Sequence, residues 1–177
     1  VGDVAHDEAV TSFRFSPTGG RLLFLARDGE TEEEERRRTE RDDALVVDET
    51  FRGTHLWIQN LQIDEMVEIS TATRLTGGPF TVANPDWSPD ARQIAYERRP
   101  NPTANDRWKS DIWVADVESG EGRVLYANGG SDVSPRWSPD GRAIAFAANE
   151  VEASTTMFRK LYLIAPEGGV PRTLLDE

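Results

Sequence analysis

The amino-acid sequence predicts an all-β fold built from three repeated units, and three observations lead to that prediction. A short motif, an aromatic or apolar strand followed by Ser-Pro and a turn, occurs three times. Each copy is followed by an apolar segment with alternating side chains, which is typical of a strand. The spacing between these elements is the same in successive copies wherever no insertion intervenes. Such regularity indicates one structural unit repeated along the chain.

The motif itself predicts a β-hairpin in each copy, at residues 13–26, 86–97 and 136–147, with an aromatic residue eight positions after the serine. In the Ser-Pro-Asp-Gly core, Pro presets φ at the second position, Asp can accept bonds from following amides, and Gly accepts a positive φ. The second copy has Ala91 where the others have glycine. If the turn is shared, we expect that alanine to be strained by about 1–2 kcal/mol.

Two more strands complete each unit. The third strands combine β-branched and aromatic side chains in alternation and are predicted at residues 55–60, 111–116 and 160–165. Short closing strands are predicted at residues 73–76, 123–126 and 172–175. The first copy is longer than the others, with about 16 residues inserted before its third strand and six after it, around residues 62–69.

Four strands per unit with a period near 50 residues are typical of a β-propeller blade, a meander whose faces pack on neighbouring blades. The alternative, an all-β sandwich with coincidental turns, does not explain the matched spacings. We therefore predict a partial propeller of three blades. The blades are predicted at residues 9–76, with a charged insertion at about 28–52, at 77–126 and at 127–177. Three blades cannot close a ring, since propellers typically have about four to eight.

The composition excludes several classes of function. The 177 residues include 20 Lys and Arg against 32 Asp and Glu, for a net charge of −12. A surface this acidic repels nucleic-acid phosphates and anionic lipid, so neither partner is expected. The chain has no cysteine, and its two histidines, His6 and His55, lie far apart, so we expect no zinc or thiol chemistry. No apolar run approaches the roughly 20 residues that span a bilayer.

The repeats resemble the β-propeller repeats of the prolyl oligopeptidase family of serine peptidases and of TolB-like proteins. The Trp-Ser-Pro-Asp-Gly hairpin and the aromatic strand after it carry the resemblance over about residues 9–175. Residues 41–57 also resemble the first-blade region of bacterial dipeptidyl or acylaminoacyl peptidases. In that family the propeller lies over a C-terminal α/β-hydrolase domain and restricts entry to short or loosened peptides. The resemblance implies the non-catalytic propeller portion of such a peptidase, with a TolB-like protein-binding scaffold as the alternative.

The sequence lacks the features of the hydrolase domain itself. A nucleophile elbow needs Gly-x-Ser-x-Gly, followed by Asp and His partners, and no such pentapeptide occurs. The nearest segment, residues 129–133, lacks the closing glycine, and both histidines precede every suitable Ser–Asp pair. We therefore assign no catalytic, cofactor-binding or metal-binding residue, and we expect this chain alone not to be an enzyme.

The residues of the repeat motif are predicted to be structural. They are Trp87, Ser88, Pro89, Asp90, Asp111, Trp113, Trp137, Ser138, Pro139, Asp140 and Gly141. We expect the aspartates to bond turn and neighbouring-strand amides and the tryptophans to pack blade on blade. His55 is expected to pack or to hydrogen-bond rather than to act as a base, because no partner lies beside it in the sequence. Trp108, outside the repeat, is the aromatic residue that we predict to contact a ligand or partner.

The charged insertion and the open ring lead to further expectations. Residues 30–41 place Glu before Arg at i,i+4, which favours a short solvated helix, either a docking element or lid or simply a solvated insertion. The acidic residues at 42–49 lack the pattern of a calcium loop. Because the chain begins at Val1 rather than Met, we expect it to be a processed or excised piece.

The partners that we expect depend on the open ring and on the resemblance. An open arc exposes apolar blade faces, which favours packing on a hydrolase domain, on further blades or on a second copy. Two three-blade arcs that pair in this way would form a six-blade ring. Peptides are the expected partners of the parent enzyme. The absence of cysteine is compatible with cytoplasm or periplasm, and the bacterial proteins that the chain resembles are often exported, which favours the periplasm or secretion.

Overall fold

The computed structural model describes residues 10–29, 36, 39, 52–63, 67–69, 71–100, 109–149 and 159–174. Apart from helical backbone at Arg36 and Thr39, the regular elements in these ranges are β-strands, arranged in three antiparallel sheets that follow one another along the chain. The predicted all-β fold of three partial-propeller blades is therefore confirmed. Within the described ranges, no helix is long and apolar enough to cross a bilayer.

Each sheet is a meander in which consecutive strands pair. The first contains β1 (Val10–Phe15), β2 (Arg21–Arg27), β3 (Thr54–Ile63), β4 (Val67–Ile69) and β5 (Thr73–Arg74). The second contains β6 (Thr81–Trp87), β7 (Gln93–Arg99), β8 (Asp111–Asp116) and β9 (Gly122–Tyr126). The third contains β10 (Asp132–Trp137), β11 (Ile144–Ala148), β12 (Lys160–Ile164) and β13 (Arg172–Thr173). The blade limits 9–76, 77–126 and 127–177 stay a prediction.

The six extra residues of the first blade form part of a hairpin. Strand β3 continues past its pairing with β5 and pairs at its far end with β4, where Gln62 lies opposite Glu68. The insertion therefore lengthens one strand pair without changing the order of the blade. Of the longer charged insertion at about 28–52, the structure describes only the ends and two isolated residues, so the helix predicted for residues 30–41 lies almost entirely outside the described residues.

The same aromatic pair recurs in every blade. The aromatic residue eight positions after the turn serine lies directly opposite the aromatic residue of the third strand, as Phe24 opposite Trp57, Tyr96 opposite Trp113 and Phe146 opposite Tyr162. Cross-strand aromatic pairs stabilise antiparallel sheets. The equal spacing seen in the sequence thus corresponds to equal register in three dimensions.

The apolar core lies between blades rather than within them. One buried cluster joins Leu23, Leu25, Leu56 and Ile58 of the first blade to Phe80, Val82, Trp87, Ile94 and Tyr96 of the second. A second cluster joins Ala95, Ile112, Val114 and Leu125 of the second blade to Ile144, Phe146, Tyr162 and Ile164 of the third. Because strand side chains alternate between faces, β7 contributes to both clusters. This stacking of sheet faces is the packing of a propeller.

Polar contacts join the first two strands of the second blade to the first strand of the third at a β-bulge. Asn84 and Ser134, at equivalent positions in β6 and β10, have positive φ values of 47° and 56° and lie where the pairing register shifts. Glu97, fully buried on β7, accepts the Ser134 amide at 2.6 Å and the Arg99 guanidinium at 2.8 Å. Asp86 accepts the Trp137 amide at 2.9 Å. We call these two carboxylate–amide contacts the blade joint.

The first blade exposes the face to which a preceding blade would attach. Phe13 and Phe15 on β1 are 65% and 63% exposed. Phe15 is equivalent in the repeat to Trp87, which is 5% exposed because it packs against the blade before it and donates from Nε1 to the Arg14 carbonyl at 3.5 Å. Among the described residues no other blade packs on Phe13 and Phe15, so these side chains stay exposed where Trp87 of β6 is covered.

The turn glycine position provides a matched test of backbone strain. Ala91 has φ 57°, and Gly141 at the same position of the third blade has φ 72°. A Cβ at Gly141 would meet only Pro89 side-chain atoms at 3.7 Å or more, so conformation alone decides the effect of Gly141→Ala.

We predict that Gly141→Ala lowers the free energy of unfolding by about 1–2 kcal/mol, because a side chain at positive φ is strained. The reverse change, Ala91→Gly, should alter it by less than about 1 kcal/mol, because relief of strain is offset by lost burial and greater freedom of the unfolded chain. Urea denaturation of both variants provides the measurement. A neutral Gly141→Ala would contradict the prediction.

Candidate functional site

The meander topology sends the connections of the blades to two opposite ends. The Ser-Pro turns lie at one end, here called the turn end. The connections from second to third strand, and from one blade to the next, lie at the other, here called the loop end. The described residues flanking the charged insertion, Gly29 and Arg52, belong to the loop end, so the insertion starts and finishes there.

A groove of about 570 Å³ lies at the loop end. It is bounded by the connection before β6, by the facing ends of β7 and β8 in the second blade, and by the connection before β10. We call it the loop-end groove. Its lining residues are Pro79, Phe80, Arg98, Pro100, Lys109, Asp111, Trp113, Gly129 and Gly130.

The side chain at the centre of the groove is Arg98. Its guanidinium carbon lies 3.9 Å from the centre of the Phe80 ring and 4.0 Å from that of the Trp113 ring, so the cation contacts two aromatic rings. Cation–π contacts at this distance are favourable, and more so where water is partly excluded. Arg98 lies opposite Asp111 in the β7–β8 register. The two aromatic contacts fix the position of the guanidinium.

Two carboxyl groups with raised pKa values interact near the groove, Asp111 in its lining and Asp132, whose pKa the charge of Asp111 raises. Asp132 is fully buried, and its backbone amide donates to the Ser110 carbonyl at 2.8 Å. Neither oxygen of its side-chain carboxyl accepts a hydrogen bond of standard geometry from the described residues. Burial, helped by the negative charge of Asp111 and opposed by the Asn128 amide, raises the pKa of Asp132 to about 7. Burial also raises the pKa of Asp111, although the charge of Arg98 opposes that shift.

His55 lies on the first-blade side of Phe80, with its ring edge-on at 5.1 Å. It is buried, its Nδ1 lies 3.3 Å from Thr76 Oγ1, and its Nε2 lies 3.3 Å from Asp28 Oδ2 without good hydrogen-bond geometry. Burial lowers the pKa of His55, although Asp28 opposes the shift, so the ring is neutral at pH 7. The sequence places no partner beside His55, and the two partners that the fold brings to it come from distant parts of the chain.

This Asp–His–Thr arrangement does not make a nucleophile. The Thr76 hydroxyl is buried and already accepts the Leu56 amide at 2.9 Å, and Asp28 pairs with Arg74 at 2.8 Å. A nucleophile needs an accessible hydroxyl beside its base. His55 therefore hydrogen-bonds and packs, as the sequence indicates. Within the part of the chain that is described, no group of three or more His, Asp or Glu side chains could hold a metal ion.

The residues predicted from the motif divide between the two ends of the blades. At the turn end, Asp90 accepts its own turn serine at 2.6 Å and the Arg92 amide at 3.1 Å, and Asp140 does the same with Ser138 and the Arg142 amide. The serine hydrogen bond lowers the pKa of each aspartate. Asp111 differs from these two, because it lies in the loop-end groove opposite Arg98 rather than in a turn.

The tryptophans divide in the same way. Trp87 is buried between blades, whereas Trp113 lines the loop-end groove and Trp137 lines a second groove of about 460 Å³ at the turn end. This second groove also holds Ser88, Pro89, Asp90, Asp140 and Gly141. Trp108, predicted to contact a ligand or partner, lies outside the described residues, so this contact stays a prediction.

Sequence reasoning missed Arg98 and Asp132, but the repeats contain a signal for Arg98. The positions equivalent to Arg98 in the other two blades hold Ala26 and Ala148, and those equivalent to Glu97 hold Leu25 and Ala147. A charged residue where the other repeats have an apolar one breaks the structural rule of the repeat. Such positions are candidates for contacts or functions specific to one blade.

Solved propellers share this blade arrangement. The chain resembles a puromycin-hydrolyzing peptidase from Mycobacterium tuberculosis with a TM-score of 0.65 at 17% identity, covering 96% of this chain and 24% of that one. It resembles prolyl oligopeptidase B from Galerina marginata with a TM-score of 0.57 at 12% identity, covering 99% of this chain and 24% of that one. It resembles TolB from Acinetobacter baumannii with a TM-score of 0.53 at 15% identity, covering 96% of this chain and 33% of that one.

At these identities the likeness shows the fold, a propeller of the kind found in TolB and in these peptidases. This chain spans between about a quarter and a third of the length of the three solved proteins. No protein-family model matches the sequence, and no curated protein matches it.

The buried Asp132 carboxyl predicts an unusual pH dependence of stability. Its pKa is about 7 in the folded chain and about 4 when unfolded, so the folded state binds the extra proton between those values. The contribution of Asp132 to the free energy of unfolding should therefore fall as pH rises from about 4 to 7 and be level above that, whereas His55, with its lowered pKa, contributes in the opposite direction below its ordinary pKa.

Replacing the Asp132 carboxyl with an amide tests this pH dependence. Asp132→Asn should lose this contribution, so its free energy of unfolding should rise relative to that of the parent chain between pH 4 and 7 and exceed it at pH 8 by about 2–4 kcal/mol. The control is Asp116→Asn at an exposed turn, where the Ser119 amide lowers the aspartate pKa, so that variant keeps the slope between pH 4 and 7. Denaturation at several pH values is the measurement, and an unchanged slope in Asp132→Asn would overturn the account.

Proposed function

We propose that this chain is the non-catalytic propeller portion of a serine peptidase of the prolyl oligopeptidase family. In the parent enzyme it gates peptide access and packs on an α/β-hydrolase domain. The observation that carries the proposal is the recurrence of a hairpin with an aromatic-Ser-Pro turn, Trp-Ser-Pro-Asp in two of the copies, with its paired aromatic strand in three stacked blades. The likeness to two peptidases, each about four times as long as this chain, supports it.

The exposed surfaces of the arc are consistent with this role. Phe13 and Phe15 present an apolar strand on the free face of the first blade, and Leu161 and Leu174 are 40% and 45% exposed on the third. Apolar side chains on a free blade face favour packing against further blades. We propose further blades of the same polypeptide as the partners of these faces, with pairing between two copies of the arc as the alternative.

A second candidate function is a TolB-like scaffold that binds proteins and has no hydrolase domain. The likeness to TolB favours it, since the same blades then serve without catalysis. The two functions differ in the domain expected on the C-terminal side of the propeller. A Gly-x-Ser-x-Gly segment, with Asp and then His, encoded downstream of Glu177 in the parent gene supports the peptidase. A stop codon after a few more blades would rule that function out in favour of the scaffold.

The proposal predicts that catalysis is absent from this chain and present in the parent. The 177-residue chain should not hydrolyse aminoacyl or peptidyl chromogenic esters, because it contains no nucleophile elbow. The full-length parent should hydrolyse them and lose that activity with a serine-directed reagent. Serine-reagent-sensitive turnover by the 177-residue chain would refute the non-catalytic assignment, and a full-length parent without such turnover would refute the peptidase.

A further inference from the structure

Among the described residues, the guanidinium of Arg98 differs from the arginine groups near it in forming no ion pair, although the charge of Arg98 acts on Asp111. Arg74 pairs with Asp28 and Arg99 with Glu97, each at 2.8 Å. Arg98 makes no hydrogen bond or ion pair with the residues that the structure describes, although Asp111 lies directly opposite it in the sheet register. Its contacts are the aromatic rings of Phe80 and Trp113. The guanidinium is thus placed by its two aromatic contacts, with the charge of Asp111 acting on it but no ion pair formed with the described residues.

This arrangement leaves the edge of the guanidinium as the part that can bind a ligand. Aromatic contacts occupy the faces of the planar group, and its N–H donors lie in the plane and point outward. A carboxylate matches that edge with two parallel hydrogen bonds. Because the rings limit the motion of the side chain before any ligand arrives, little conformational entropy is lost on binding.

We propose that the loop-end groove binds a peptide carboxylate on the edge of Arg98. The groove volume of about 570 Å³ is larger than a carboxylate needs and leaves room for neighbouring residues. Pro79, Pro100 and Gly129 provide apolar walls and exposed backbone around it. The carboxylate is either a peptide C-terminus or an Asp or Glu side chain, since both present the same two oxygens.

The net charge of −12 does not prevent this binding. At physiological ionic strength, charges more than about 8 Å apart are largely screened, so the groups within the groove dominate. Among these, Asp111 opposes an anionic ligand. Replacing Asp111 with Asn should therefore strengthen binding, an effect that a purely structural role for Arg98 does not produce.

The test uses the 177-residue chain labelled with ¹⁵N. The probes are N-acetyl-Gly-Phe as the free acid, the same compound as its C-terminal amide, and N-acetyl-Asp-Phe-amide. The free acid should give saturable shifts of the Arg98 Nε–H and Trp113 indole resonances, and N-acetyl-Gly-Phe-amide should give none. Arg98→Gln should weaken binding at least tenfold, and Asp111→Asn should strengthen it severalfold. Arg142→Gln, an exposed arginine at the turn end, is the matched control and should bind as the parent does.

The outcomes separate the two sources and decide the proposal. If only the free acid binds, the site takes a C-terminus; if N-acetyl-Asp-Phe-amide binds equally, it takes a carboxylate from either source. Arg98→Lys keeps the positive charge but loses the planar guanidinium, so this variant should also bind the free acid several times more weakly. It serves as the second variant if Arg98→Gln fails to fold. Equal binding of acid and neutral amide, unchanged affinity in a folded Arg98 variant, or no binding of any probe overturns the proposal.

Discussion

The position of the third blade against the second depends on the blade joint, in which carboxylates of the second blade accept backbone amides of the third. Glu97 accepts the Ser134 amide and Asp86 the Trp137 amide, and both donors lie on β10. The β-bulge makes this possible, because Ser134 in positive φ and Pro135 without an N–H interrupt the ladder with β11. A buried carboxylate without its donors would be strongly destabilising, so these contacts define one position for the third blade.

The alternation of side chains along β7 connects this joint to the candidate site. Ile94, Tyr96 and Arg98 face the first blade, whereas Ala95 and Glu97 face the third. Glu97 therefore holds the third blade while its neighbour Arg98 is turned toward Phe80 at the opposite face. A shift of one residue in register would exchange these roles and bury an unpaired guanidinium. The joint and the groove thus depend on the same register.

Most of the fold could be predicted because its determinants are local. The turn chemistry of Ser-Pro-Asp-Gly and the regular spacing of aromatic residues specify hairpins and strands without knowledge of distant contacts, and even the positive φ at Ala91 is expected from the repeat. The site could not be predicted in the same way. His55 meets Asp28 and Thr76, and Arg98 meets Phe80, only after blades stack or loops converge, so no local pattern indicates these pairs. Asp111 was expected to bond amides, and its place in the groove opposite Arg98 follows from the β7–β8 register, which the motif alone does not reveal.

Hydrogen exchange at the blade joint tests the central claim, that carboxylate–amide contacts hold the blades in one arrangement. The Ser134 and Trp137 amides should be protected in the parent chain, and Glu97→Ala should speed the exchange of both. The Gly141 amide, which donates within its own turn to the Ser138 carbonyl at 2.9 Å, should be unaffected. Rapid exchange of Ser134 in the parent chain, or unchanged protection of both joint amides in Glu97→Ala, would contradict the account.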